Sequence, residues 1–183
     1  EALTSYTNLN TLYLTQNNLE DLNNLQNPSL QTFYLAQNRI KQLPDQFLSR
    51  FPEIFILFLD CNFLESLSNQ RSESIGTLSL SLNCIETIDA STLSFSHLVS
   101  LDLSKNRITK LPRNFSKSFP KLQTLYLSNN LISEIPENTE YDDLVLPETL
   151  IEINLSNNLL EKVPNSITCI PNLPKLNLDK NKI

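Results

Sequence analysis

The chain has 183 residues, a formal net charge of −6, one glycine (Gly76), one histidine and neither tryptophan nor methionine. The acidic balance argues against a nucleic-acid binder, which needs a basic face, and no unbroken apolar run approaches the roughly 18 residues of a membrane span. Leucine fills about a fifth of the chain and asparagine about an eighth, a bias that a repeated template produces without low complexity.

Taken in order, residues 1–8 read as the tail of an earlier coil. A unit then starts with Leu9, Leu12, Leu14, Asn17 and Leu19, and a second with Leu30, Phe33, Leu35, Asn38 and Ile40. The second runs into Leu43-Pro44-Asp45-Gln46-Phe47, where proline suits a turn away from any strand ladder, and Phe47 and Phe51 are expected to fill the far side of the core. The third, residues 54–64, is apolar almost throughout. The fourth uses Ile75, Leu78, Leu80, Asn83 and Ile85, with Leu93 and Phe95 behind. The fifth, sixth and seventh are built on Leu98, Leu101 and Leu103, then Leu122, Leu125 and Leu127, then Leu150, Ile153 and Leu155. The eighth has Leu173, Leu176, Leu178, Asn181 and Ile183. Core leucines and strand edges are left open at both ends, so the chain is expected to be a piece of something longer, without caps.

Written as a pattern, the unit is L-x-x-L-x-L-x-x-N-x-L/I, cleanest at residues 122–132. Its asparagines, Asn17, Asn38, Asn62, Asn83, Asn106, Asn130, Asn158 and Asn181, are 21, 24, 21, 23, 24, 28 and 23 residues apart. A fixed motif at such a period marks a solenoid. The L-x-L core has the alternation of a short strand with one face inward. One unit cannot bury its leucines alone, so neighbours must stack. After the strand the backbone turns inward, and a buried amide side chain, with two donors and an acceptor, can satisfy the freed peptide groups. Exposed positions beside that ladder, such as Asn129, are expected to tolerate alanine within about 0.5 kcal/mol.

These residues resemble the leucine-rich repeat family, over essentially the whole chain. The resemblance implies an α/β-type repeat solenoid, right-handed and curved: short parallel strands line the concave face, irregular or 3₁₀ turns form the convex face, and there is little α-helix. It implies one domain over residues 1–183 with eight repeats. The Leu-Pro-x-x-Phe returns look like the variety of roughly 24 residues, found on both sides of membranes. Extracellular members often carry cysteine-rich caps, and neither end shows one. Cys61, Cys84 and Cys169 make an odd, unclustered set; a Cys61–Cys84 bridge would be awkward along the coil. Free thiols in the cytoplasm are the expectation. Two sequons, at Asn114 and Asn154, weigh little in so asparagine-rich a chain.

Little points to catalysis. His97 sits in a return segment and is expected to be a solvated surface residue. No Cys/His cluster has metal-ligand spacing and no glycine-rich loop could cradle phosphate. Asp60, Asp102, Glu152 and Asp179 fall in separate coils. The chain is therefore expected to be no enzyme and to need no cofactor or metal.

Binding is better supported. The residue between the two strand leucines must point outward; in order it is Tyr13, Tyr34, Phe58, Ser79, Asp102, Tyr126, Asn154 and Asn177. Three successive aromatics, flanked by Phe55, Ile56 and Leu82, suggest an interaction patch, although aromatics also suit strands for their own sake. Asp60 and Asp102 would favour a Lys- or Arg-bearing partner. The long sixth interval carries Glu134, Glu137, Glu140, Asp142, Asp143 and Glu148 around Tyr141, after a basic coil with Lys105, Arg107, Lys110, Arg113, Lys117 and Lys121. Surface ion pairs between neighbouring turns explain it as economically as a docking loop does. The expectation is a protein-interaction module, a scaffold or signalling adaptor, binding a protein or peptide on its concave face. The alternatives are the regulatory segment of a larger kinase, phosphatase or cyclase, or a receptor ectodomain.

Overall fold

The structure, a computed structural model, describes residues 3–138 and 145–183. Eight three-residue strands, Thr11–Tyr13, Thr32–Tyr34, Ile56–Phe58, Thr77–Ser79, Ser100–Asp102, Thr124–Tyr126, Glu152–Asn154 and Lys175–Asn177, lie side by side in chain order as one parallel sheet. Their register is unbroken: Leu12, Phe33, Leu57, Leu78, Leu101, Leu125, Ile153 and Leu176 stand opposite one another across it. No strand of three residues is stable alone; each is held by the same turn of chain repeated beside it. The parallel-strand solenoid predicted from the spacing is the fold.

The inward positions make one continuous core. Leu30, Phe33 and Leu35, or Leu122, Leu125 and Leu127, are fully buried, as are Phe47, Phe51, Phe95, Phe115 and Phe119 on the return side. Those return-side rings touch: Phe47 and Phe51 at 5.0 Å, Phe115 and Phe119 at 4.6 Å, Phe95 and Phe119 at 5.5 Å between centroids. The return itself is made of 3₁₀ turns at Phe47–Arg50 and Ala90–Thr92 and single helical turns at Phe115–Ser118 and Asn165–Thr168. Two further parallel pairs were not anticipated: Ser66–Leu67 with Thr87–Ile88, and Arg71–Ser72 with Ser94–Phe95. They join the third and fourth coils, whose returns lack the Leu-Pro-x-x-Phe element and keep the N–H donors that proline would remove.

The asparagine ladder forms as its chemistry requires. The Asn106 side chain donates to the carbonyls of Leu80 (2.9 Å), Leu103 (3.0 Å) and Ser104 (3.2 Å), and its Oδ1 accepts the Ile85 N–H at 2.9 Å. Asn62 repeats this with Leu35, Leu59, Asp60 and Ile40. Each such side chain ties its own coil to the preceding one. Asn17 is different: it reaches only Leu14 and Thr15 of its own coil and is exposed.

Immediately before every ladder asparagine the backbone is left-handed, with φ between 55° and 59° at Gln16, Gln37, Cys61, Leu82, Lys105, Asn129, Asn157 and Lys180. This turn carries the chain from the outward sheet face toward the core. It also aims an N–H at the next coil, as Leu82 donates to the Ser104 carbonyl at 3.1 Å and Lys105 to that of Ser128 at 2.8 Å. Here a sequence expectation needs correcting. Asn129 is exposed but not indifferent, because asparagine adopts this conformation at less cost than alanine; the left-handed state costs an ordinary L-residue about 1–2 kcal/mol.

Candidate functional site: the outward sheet face

Strand alternation turns Leu57 and Leu59 into the core and leaves Phe58 between them facing out. Because Tyr13, Tyr34 and Phe58 are direct ladder partners, their side chains start about 4.8 Å apart, close to the thickness of stacked rings. The rings use that spacing. Tyr13 and Tyr34 lie 4.5 Å apart at 7°, Tyr34 and Phe58 5.2 Å apart at 15°. The result is one three-ring stack crossing the first three coils, each contact contributing about 0.5–1.5 kcal/mol beyond area burial. Tyr13 remains 69% exposed; Tyr34 and Phe58, flanked by neighbours, are half-buried.

The stack stops at Ser79, the next residue in the row. Its hydroxyl donates to the Asp60 carboxylate, whose Oδ1 also accepts the Ser81 N–H at 3.1 Å. Burial pushes the Asp60 carboxyl above the usual range, the bonds from Ser79 and Ser81 pull it back in part, and the charge of Asp102 raises it further. Asp102 binds the N–H and hydroxyl of Ser104 at 2.8 and 2.6 Å, and Ser104 meets the Ser81 hydroxyl at 3.1 Å. The two aspartates thus belong to one serine-lined strip at the C-terminal end of the stack, each engaging its neighbours through Oδ1.

Phe55 precedes its strand and is 54% exposed. Its ring lies over Gly76, the chain's one glycine, and a Cβ there would come within 2.6 Å of the ring's Cζ. Gly76 itself is tied into the ladder, donating to the Phe55 carbonyl at 2.9 Å and accepting from Val99 and Ser100. Sequence reasoning missed this seat, although a lone glycine in a leucine-rich coil was a usable signal. Ile56 is half-buried beside Phe55, and Leu82, 46% exposed, holds the left-handed position one coil further on. Tyr126 is not brought to the stack: Ser79 and Asp102 intervene, and its ladder neighbours are Asp102 and Asn154.

The other sequence candidates settle elsewhere. His97 is exposed and contacts only Ser96, at 3.1 Å. All three cysteines are free. Asn154 lies on a strand with Oδ1 bonded to the Ser156 N–H at 3.0 Å. Of the acidic stretch, Glu140, Tyr141, Asp142 and Asp143 lie outside the described residues. Glu137 pairs with Lys162 of the following coil at 3.1 Å, and its carbonyl accepts from Arg113 at 3.3 Å. Phe63, 50% exposed, was not singled out; it lines a depression together with Lys41, Glu65, Cys84, Glu86 and Arg107. Among the described residues no group of His, Cys, Asp and Glu could hold a metal ion, and no helix is long and apolar enough to cross a membrane.

A leucine-rich repeat family model matches residues 96–141. No curated protein matches the chain. Among solved structures, the solenoid is similar to a leucine-rich repeat protein from Bacteroides eggerthii DSM 20697, with a TM-score of 0.61 and 23% identity over 84% of this chain. The match takes in 26% of that protein, so the chain spans about a quarter of its length, and at this identity the likeness speaks to fold. The recurring L-x-x-L-x-L-x-x-N unit builds a parallel-strand solenoid, and the matched repeat segment and the similar structure agree that this is the leucine-rich repeat fold.

Proposed function

We propose that the chain is a protein-interaction module, serving as a scaffold or signalling adaptor, whose outward and concave sheet face receives a protein or peptide partner. The observation that carries this is the stack of Tyr13, Tyr34 and Phe58. Solenoid stability asks for buried leucines and a satisfied ladder; it asks nothing of the outward row, where Ser79 and Asn177 serve as well. Exposed aromatics grouped on one face mark interaction surfaces, and tyrosine is enriched among residues that dominate binding energy. Leucine-rich repeat folds are commonly interaction modules, which agrees. The role is binding, with no reaction assigned to these residues and no cofactor. Free thiols at Cys61, Cys84 and Cys169 support a reducing compartment, the cytoplasm.

The test compares proteins captured by the full protein, by its Tyr34→Ala and Phe58→Ala variants, and by a return-side control, Glu161→Ala, each shown to fold by its melting temperature. Partners retained by the control and lost from both aromatic variants support the proposal. Partners retained by all four overturn it.

A further inference from the structure

Resting on that proposed face, we infer that its partner is a cationic segment in which Lys or Arg sits next to a large apolar side chain. Charge complementarity along the sheet selects such a partner. The strands of the first five coils and the residues next to them, 10–15, 31–36, 55–60, 76–81 and 99–104, alternate between core and outward face, and the charged side chains among them are Asp60 and Asp102. The nearest cation along the strand, exposed Lys105, stands at the left-handed position that Leu82 holds one coil earlier and follows the strip rather than lying within the aromatic row. Further along the sheet the pattern differs: Glu152 is answered across the ladder by Lys175 at 3.3 Å. The aromatic end is therefore apolar with an acidic margin: Asp60 follows Phe58 on the same strand edge, and Asp102 lies one row beyond Ser79.

Geometry sets the order of contacts. Tyr13, Tyr34 and Phe58 form one apolar row, and Phe55, seated on Gly76, stands apart from it with Ile56 between them in the chain. An apolar side chain lying between this row and Phe55 would bring its neighbouring residue to the serine-lined strip. There Asp60 and Asp102 each bond their surroundings through Oδ1, leaving Oδ2 to accept from an ammonium or guanidinium group. A half-buried carboxylate beside an aromatic ring discriminates by charge more sharply than one in open water, since solvent screens it less. A neutral or acidic segment would leave Asp60 desolvated and unanswered. The groups facing Asp60 are the Ser79 hydroxyl, the Ser81 N–H and the Asp102 carboxylate. Its carboxyl is already raised by burial, so a bound cation would favour the ionised form and binding would release protons in mildly acidic buffer.

The experiment is selection of a displayed library of random twelve-residue peptides on the 183-residue chain, followed by affinity measurement on the recovered peptides. The expected result is enrichment of Lys and Arg next to aromatic or large aliphatic residues. Affinity should fall at least tenfold in Asp60→Asn/Asp102→Asn, whose shape is kept, and at least tenfold in Phe58→Ala, and it should weaken as the pH is lowered through the carboxylate range. Peptides that need Phe58 but carry no excess of Lys and Arg, and bind the double Asn variant unchanged, would overturn this partner chemistry and leave the proposed face standing. Peptides that bind Phe58→Ala and Tyr34→Ala as well as the unaltered chain would overturn the face.

Discussion

Seen from inside, the second and third coils match the fifth to seventh, while the first has an exposed Asn17 and half-buried leucines; seen from outside, the first three coils and the fifth to seventh present different surfaces. Leu57 and Leu59 are as buried as Leu101 and Leu103, and Asn62 bridges its neighbours with the same set of bonds as Asn106. Outward, one region presents Tyr13, Tyr34 and Phe58, and the other Asp102, Tyr126 and Asn154. Since the inward requirements are met alike in the coils of Tyr34 and Phe58 and in the fifth to seventh, the outward difference between them is not a demand of folding. That separation is what a repeat solenoid allows: each coil has inward positions fixed by packing and outward positions left for recognition.

The comparison can be broken first at the ladder. Asn62→Ala and Asn106→Ala should each destabilise by about 3 kcal/mol, because several buried peptide groups lose a partner at about 1–3 kcal/mol apiece. The two values should agree within about 1 kcal/mol in urea denaturation, and a large cost at one with none at the other would show that the two regions are not built alike. Asn17→Ala, whose side chain bonds only within its own coil, should cost less than half as much. Next in size is Gly76→Ala. The added methyl meets the Phe55 ring, so the ring must swing away, at a cost of about 1 kcal/mol that largely vanishes in the Phe55→Ala background. An equal cost in both backgrounds would remove Phe55 from the explanation.

Smaller effects sharpen the contrast. Leu82→Asn should stabilise the chain by about 0.5–1 kcal/mol, since asparagine accepts the left-handed backbone that leucine resists, while a partner on the aromatic face should bind less tightly. Destabilisation would mean that Leu82 earns its place by packing. Smallest is the effect of Asp60 on the pH dependence of stability. Its folded-state pKa is raised, so the stability linked to it is fully present below the unfolded value and is lost as pH rises through the folded one. Asp60→Asn should remove that decline from a melting-temperature profile measured from pH 3.5 to 7. An unchanged profile would show that Asp60 titrates as it does in the unfolded chain.

Most of the fold could be read before the structure because each coil repeats the same inward residues at a near-constant period. Leu122, Leu125, Leu127 and Asn130 define strand, core and ladder by spacing alone. The outward row was legible too, since the position between two core leucines has one direction to point. Other features were hidden for physical reasons. The left-handed turn has no common residue type, being occupied by Gln16, Cys61, Leu82 and Lys105 among others, because every coil enforces it through ladder bonds, whatever the side chain. The seating of Phe55 on Gly76 joins residues twenty-one positions apart whose coil returns differ, so no local pattern announces it. The exclusion of Tyr126 from the stack is a matter of row order, and Ser79 and Asp102 already stood between them in the sequence. The hold of Ser79 and Ser81 on Asp60 needed side-chain geometry.

The central claim is that the aromatic end of the sheet, and not the sheet as a whole, is the binding surface. The direct measurement is the affinity of one captured partner for four variants: Tyr34→Ala and Phe58→Ala at one end, Tyr126→Ala and Asn154→Ala at the other, with melting temperatures confirming that each is folded. An aromatic anchor contributes about 2 kcal/mol or more, roughly thirtyfold in affinity. The account predicts a loss of that order in the first pair and less than about threefold in the second. Equal losses in both pairs, or losses confined to Tyr126→Ala and Asn154→Ala, would contradict it.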